Sequence, residues 1–298
     1  MNLITRPNLD GLTCAVFISI MENIERVVFA EPKDIEDGTV PVEYGDVVAK
    51  LPYHRNAAIW FDHHDKAEST FDAKVNVKGR RGRSPSAARL VYEYYNSPLL
   101  KKYEEFLKEN DRIDSAYLTL EDVLDPKDWV LLSYTVDPFM GLDAFHGYAN
   151  TLIVAIKHGS NIDQIMDMQE VRGRVNRYFM DADDFKLELQ KTTRLDGNVL
   201  ITDFRQVELM PIGNRFLAFA IFPQKNVQIR ISYHEGKSKV SVRLGKSIFR
   251  RTCNIHLGHL AAVYGGGGLD GAAGCLLDPD EADEKITEII ERLKEGTK

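Results

Sequence analysis

Three consecutive side chains, Asp62, His63 and His64, place one carboxylate and two imidazoles in a single short stretch. Oxygen and neutral imidazole nitrogen together suit a divalent ion of the manganese, magnesium or zinc type, and such an ion is a general means of activating water. The triplet closes the apolar run Ala57-Ala58-Ile59-Trp60-Phe61, which predicts a buried strand. The C-terminal end of such a strand is a rigid place from which the three side chains can project into a cleft.

Two further stretches follow the same logic. Leu3-Ile4-Thr5 predicts a strand, Asp10-Gly11 a tight turn, and an apolar helix continues through Phe17, Ile18 and Met21. An acid where a strand ends and a helix opens lies where open α/β sheets place their ligands. Toward the other end, Gly265-Gly266-Gly267-Gly268 lead into Leu269-Asp270-Gly271-Ala272-Ala273-Gly274. Glycines let backbone amides approach an oxyanion closely, and this run passes into an apolar segment where a linker would carry Ser and other polar residues.

In order and spacing over nearly the whole chain, these stretches resemble the DHH phosphoesterase superfamily with its C-terminal DHH-associated domain, DHHA1. Gly245-Lys246-Ser247-Ile248-Phe249 ahead of the glycines is most similar to the branch of exopolyphosphatase-related proteins. The resemblance implies an α/β chain with an N-terminal parallel-sheet DHH domain, a smaller C-terminal α/β DHHA1 domain and an active site in the interdomain cleft. We expect the DHH domain over residues 1–170, a connecting helix over 171–195 and the DHHA1 domain over 196–298. The connecting helix is read from apolar residues at helical spacing among charges of both signs, through Met180, Asp181, Asp183, Asp184 and Leu187. The implied activity is hydrolysis of a phosphoanhydride or phosphodiester in a small polyanion such as polyphosphate, a short oligonucleotide or a nucleotide, with one or two Mn2+ or Mg2+ ions.

Carried onto this sequence, the resemblance assigns metal ligation to Asp10, Asp46, Asp62, His63 and Asp111, with Asp114 and Asp137 as alternatives for the last acid. Asp62, His63 and His64 form the catalytic group, His64 touching a phosphate oxygen or protonating the leaving group. Arg243, Lys246, Gly266, Gly267 and Gly268 form the wall that grips the substrate's anionic tail. Within Lys78 to Ala88, Ser84 reads as a helix cap with Pro85 in the first helical position, and a helix N-terminus beside arginines suits phosphate, which adds Arg81 to the candidates.

The chain also departs from the family pattern. Arg6 stands where a histidine is expected, Asn8 or Leu12 where another acid is, and Leu269 where a histidine follows the glycines. Asn8 could coordinate through its carbonyl oxygen, the Arg6 guanidinium could take the place of one cation, and Arg250, Arg251 and His256 could stand in near Leu269. A second reading follows: a catalytically degenerate relative that binds phosphate or nucleotide without turning it over.

Composition sets the outer bounds. With 298 residues and 44% hydrophobic content, two domains with real cores are expected. A net charge of −7 argues against long nucleic acids, which need a broad cationic face, while leaving room for a local grip on a small polyanion. No apolar run reaches membrane-spanning length, and the chain opens directly into a strand, with no signal peptide expected. Cys14, Cys253 and Cys275 have no zinc-type spacing and are odd in number, which fits a reducing cytoplasm; a homodimer is compatible with the sequence.

Overall fold

The computed structural model describes residues 1–64, 77–136, 145–208 and 213–296. The chain divides into two compact units, Met1–Leu118 with Pro126–Arg177, and Thr119–Asp125 with Tyr178–Lys298.

The first unit is built on five parallel strands, β1 (Asn2–Thr5), β2 (Arg26–Phe29), β3 (Val47–Ala49), β4 (Ile59–Asp62) and β5 (Lys78–Arg81), in the order β2-β1-β3-β4-β5. β3 and β4 are buried along their whole length, as parallel strands covered on both faces must be. Leu3, Val47, Ala49 and Phe61 pack into one apolar layer, while Ile4, Val48 and Trp60 pack into the other. Helix α1 (Leu9–Met21) begins where β1 ends, capped by the Asn8 side chain, which accepts from the Gly11 amide at 2.9 Å. Gly11 thus lies inside the first turn of α1. A Cβ there would sit 2.0 Å from the Arg6 carbonyl oxygen, so this junction admits no side chain.

β5 has no apolar pattern that predicts it. Its residues Lys78-Gly79-Arg80-Arg81 are polar, and it is a sheet edge held by parallel pairing to β4, with Arg81 beside Asp62. Because the chain stays in the sheet to Arg81, the cap falls at Ser86, two residues beyond the expected Ser84. Ser86 Oγ accepts from the Arg89 amide at 3.0 Å and opens helix α2 (Ala87–Tyr95). Helix α3 (Glu104–Asp114) follows. Helix α4 (Gln169–Thr192) runs from the first unit into the second.

The second unit holds a mixed sheet of β6 (Thr193–Asp196), β7 (Val199–Asp203), β8 (Val227–Tyr233), β9 (Val240–Lys246), β10 (Gly267–Gly268) and β11 (Ala272–Leu277), in the order β10-β11-β9-β8-β7-β6. β7 and β8 are parallel and the other neighbours antiparallel. Helices α5 (Leu257–Ala262) and α6 (Pro279–Glu295) complete it. Val227, Ile229, Ile231, Val240, Val242 and Leu244 pack with Ile286, Ile289 and Leu293 of α6 on one face. Strand alternation sends Gln228, Arg230, Ser232, Ser241 and Arg243 to the other.

The three cysteines are buried and unbridged. Among the described residues, no helix is long and apolar enough to cross a membrane.

Candidate functional site

Because β1, β3 and β4 are parallel, the residues that follow them gather at one edge of the sheet. Asp10 lies in the first turn of α1, Lys50 directly follows β3, and Asp62 ends β4 with His63 and His64 after it. The last residue of α3, Asp114, comes to the same place.

Lys50 is the unexpected member. Its ammonium donates to Asp10 Oδ2 at 2.7 Å and to Asp114 Oδ1, and the side chain is only 3% exposed. The backbone at Lys50 has φ 59°, in the left-handed region that costs a non-glycine residue about 1–3 kcal/mol. A hydrogen bond from its amide to the Phe61 carbonyl, 2.8 Å, ties this kink to β4. Burial by itself would lower the lysine pKa, yet the charges of Asp10 and Asp114 outweigh it and hold the ammonium above its ordinary value. Burial would likewise raise Asp114, but the Lys50 charge and His63 keep that carboxyl far below the usual carboxylate range.

Asp10 is saturated with donors. Besides Lys50, its Oδ2 accepts from the Ala87 amide at 3.1 Å, and its Oδ1 accepts from the Ala88 amide and Asn110 Nδ2, both at 3.0 Å. The N-terminus of α2 therefore points its free amides at a carboxylate of the chain itself, where the sequence predicts phosphate. Asn110 is in turn fixed by Thr13 Oγ1, 3.1 Å from its Oδ1.

His63 stands between this saturated group and Asp62. Its Nε2 is 3.2 Å from Asp114 Oδ2, and its Nδ1 is buried with no hydrogen-bond partner among the described residues. Burial lowers the His63 pKa, and the bond to Asp114 with the charges of Asp10 and Asp114 raises it further than burial lowers it. His64 Nδ1 lies 2.6 Å from Asp62 Oδ1, and the two imidazole centroids are 4.4 Å apart.

Two sets of ligand-type atoms lie within 4.8 Å of one another, Asp62-His63-His64 and Asp10-His63-Asp114. The first fits a divalent ion: one carboxylate, two imidazoles, and a buried nitrogen with no other partner among the described residues. A carboxylate behind His63 is also the usual outer partner of a ligating histidine. The second does not fit one, since Asp10 has no lone pair to spare and an ammonium already lies between the two acids. Two unit charges 4 Å apart interact by about 4 kcal/mol at an effective dielectric of about 20, and a dication facing an ammonium doubles that repulsion.

Other expected ligands lie elsewhere. Asp46 precedes β3, at the opposite end of the parallel sheet from Asp62; its Oδ1 accepts from the Asn2 amide at 2.8 Å and its Oδ2 from the Glu43 amide at 3.0 Å. Asp111 is held by Ser86 Oγ at 2.6 Å and Arg89 Nε at 2.8 Å, one helical turn from Asp114, which takes the place at His63 instead. Asp137 lies outside the described residues. Asn8 spends its carbonyl oxygen on capping α1, and Arg6 pairs with Glu31 at 2.6 Å, so neither serves as ligand or cation at the site. Lys50 could have been found from sequence, because Val47-Val48-Ala49-Lys50 repeats the pattern of Ile59-Trp60-Phe61-Asp62, an apolar strand ending in a charge.

In the second unit Gly258, Gly266 and Gly268 serve packing, whereas a Cβ at Gly265 or Gly267 would meet nothing within 4 Å. A Cβ at Gly266 would lie 2.1 Å from the Gly274 carbonyl oxygen, and one at Gly258 the same scale of distance, 2.2 Å, from that of Gly268. The Gly266 amide donates to the Ala261 carbonyl at 3.0 Å, while Gly267 and Gly268 form β10 against Gly274 and Ala273. Gly266 and Gly268 thus let β10 lie close on α5 and β11. Lys246 is bound by Asp270 at 2.8 and 2.9 Å. Arg250 and Arg251 donate to the carbonyls of Gln224 and Ile248, and His256 caps α5 while stacked on His259 at 3.8 Å.

Arg243 sits on the polar face of the sheet with a partner that sequence reading missed. Arg230 on β8 is its direct cross-strand neighbour, and Gly274 on β11 flanks Arg243 on the other side. Burial, then the charges of Arg243 and Arg215, push the Arg230 pKa down to about 10. Arg230 makes no ion pair among the described residues; its Nη2 reaches only the Arg215 carbonyl at 3.5 Å. Val227 to Tyr233 and Val240 to Leu244 both alternate apolar and polar residues, and pairing the two stretches was the signal that could have found it.

No family model matches the chain, and no curated protein does. Solved structures do. PggH, a pGpG-specific phosphodiesterase from Vibrio cholerae, is 32% identical with TM-score 0.80, the alignment covering 99% of each chain. A DHH domain from a member of a family of ribosomal proteins gives TM-score 0.65 at 12% identity, over 99% of this chain and 87% of that one. An exopolyphosphatase-related protein from Bacteroides fragilis gives 0.51 at 11% identity, over 98% and 92%. The last two show a shared fold.

Proposed function

The chain belongs to the DHH phosphoesterase superfamily, and on that premise we propose that it is a metal-dependent phosphodiesterase hydrolysing a short 5′-phosphorylated dinucleotide of the pGpG kind. The observation that carries the reading is the 32% identity to a pGpG-specific phosphodiesterase along 99% of both chains.

Asp62, His63 and His64 would hold Mn2+ or Mg2+, which when bound polarises a phosphoryl oxygen and lowers the pKa of a water molecule. Asp114 orients His63 through the 3.2 Å contact to Nε2, leaving Nδ1 for the ion. The 2.6 Å bond between His64 Nδ1 and Asp62 fixes the His64 ring and would leave its Nε2 for the ion. Water adds to phosphorus and gives up a proton, the bond from phosphorus to the 3′ oxygen breaks, and that oxygen takes up a proton from solvent, giving two mononucleotides. Lys50 offsets the charge of Asp10 and Asp114, reducing the repulsion an incoming phosphate meets.

The reading assigns the substrate's terminal phosphate to Arg230 and Arg243. Two guanidinium groups carried by directly opposed residues on neighbouring strands suit a phosphate, which each can bind through charge-assisted hydrogen bonds. Arg81, beside Asp62 at the sheet edge, remains a candidate contact for the phosphate under attack. The unbridged cysteines support a reducing, cytoplasmic setting.

Purified protein supplied with Mn2+ or Mg2+ and offered pGpG, a longer oligonucleotide or polyphosphate tests the reading. Release of GMP from pGpG, stopped by a chelator, is expected. Absence of turnover on all three substrates, or a preference for polyphosphate, would overturn it.

A further inference from the structure

We propose that the Lys50 ammonium is the second cation of this site, a fixed charge that fills the Asp10-Asp114 position and limits the chain to a single divalent ion at Asp62, His63 and His64. The inference rests on the reading of the chain as a metal-dependent phosphohydrolase and concerns how many ions that site accepts.

Three features carry it. The ammonium lies within hydrogen-bonding distance of both acids, 2.7 Å from Asp10 Oδ2, so an ion bridging them would have to displace it. At 3% exposure, and with its amide bonded to the Phe61 carbonyl, the lysine has no nearby solvent into which it can withdraw. The other oxygen of Asp10 is held by the Ala88 amide and Asn110 Nδ2, so the acid cannot rotate toward a new ligand without breaking the start of α2. On the far side of His63 the balance reverses. Among the described residues Asp62 meets only His64, no buried ammonium lies against it, and His63 Nδ1 has no hydrogen-bond partner. One half of the edge is therefore neutralised from within by a side chain, and the other half is built to take its cation from solution.

The test counts ions. Metal-free protein is titrated with Mn2+, the bound metal measured by elemental analysis and its state by electron paramagnetic resonance, with hydrolysis of pGpG assayed in parallel. A single ion per chain at saturation, with the spectrum of an isolated ion, is expected. Lys50→Asp exchanges the ammonium for a carboxylate at the end of β3, and the expected result is a second bound ion and the spectrum of a spin-coupled pair. Two ions in the unaltered protein would overturn the inference, as would a folded Lys50→Asp that still takes up only one. If that variant does not fold, the count on the unaltered protein decides alone. Two ions with pGpG hydrolysed would refute the inference and leave the function standing; one ion with no substrate hydrolysed would do the reverse.

Discussion

Two groups of ligand-type side chains meet at His63, and they differ in what already satisfies them. On one side, Asp10 accepts four hydrogen bonds and shares a buried ammonium with Asp114. On the other, Asp62 meets His64 and the Nδ1 of His63 has no hydrogen-bond partner among the described residues. Both groups are equally compact and both include a histidine and an acid. The difference teaches that residue type and proximity identify a place where a metal could sit, while the count of donors already present decides whether it does.

The comparison can be broken most severely at Asp62. Asp62→Ala removes the carboxylate of the open group, and since a catalytic ion supplies several kcal/mol of stabilisation, kcat for pGpG should fall on the order of 10³-fold with the circular dichroism spectrum retained. Asp10→Ala attacks the saturated group, where the loss should appear first as stability. Lys50, two helix amides and Asn110 would be left without their shared acceptor, and urea unfolding should show a loss of about 3–5 kcal/mol, as for other broken buried ion pairs. A smaller, different effect is expected from Arg243→Ala. Losing one charge-assisted contact of roughly 1.5–3 kcal/mol should raise KM about 10- to 150-fold with little change in kcat, as the proposed part in substrate grip requires. Arg6→Ala sharpens the contrast from below. Its ion pair with Glu31 is partly exposed, so thermal unfolding should register under about 1 kcal/mol, with ion binding unchanged. A large loss of metal affinity in that variant would instead make the Arg6 guanidinium a working part of the site.

The buried strands were readable because a parallel sheet covered on both sides must spell out apolar runs, and Val47 to Ala49 and Ile59 to Phe61 do so. The two-part α/β architecture was legible for the same reason, together with the period-two hairpin of β8 and β9. β5 was not, since Lys78 to Arg81 is held by backbone pairing at an edge and carries no side-chain pattern to announce it. At the site, the Asp-His-His cluster and Asp10 could be located from spacing, but their partners could not. Asp46 lies on the right segment at the wrong end, a distinction that needs strand polarity and exact strand limits. Asp114 and Asp111 are one turn apart on α3, and only the direction of the helix face selects between them. Arg230 required the strand register, and Lys50 required accepting that a positive charge can be the buried member of an acidic site.

Cys14 lies on α1 one turn beyond Asp10, fully covered, and burial followed by the neighbouring carboxylate pushes its thiol well above its ordinary pKa. A protonated thiol shielded in this way is inert to alkylating reagents while the helix stays seated. Its rate of modification would therefore act as a clock for transient opening of the site edge, readable by mass spectrometry as the added mass of the alkyl group. Whatever slows that clock, an ion or a nucleotide, must bind the closed form.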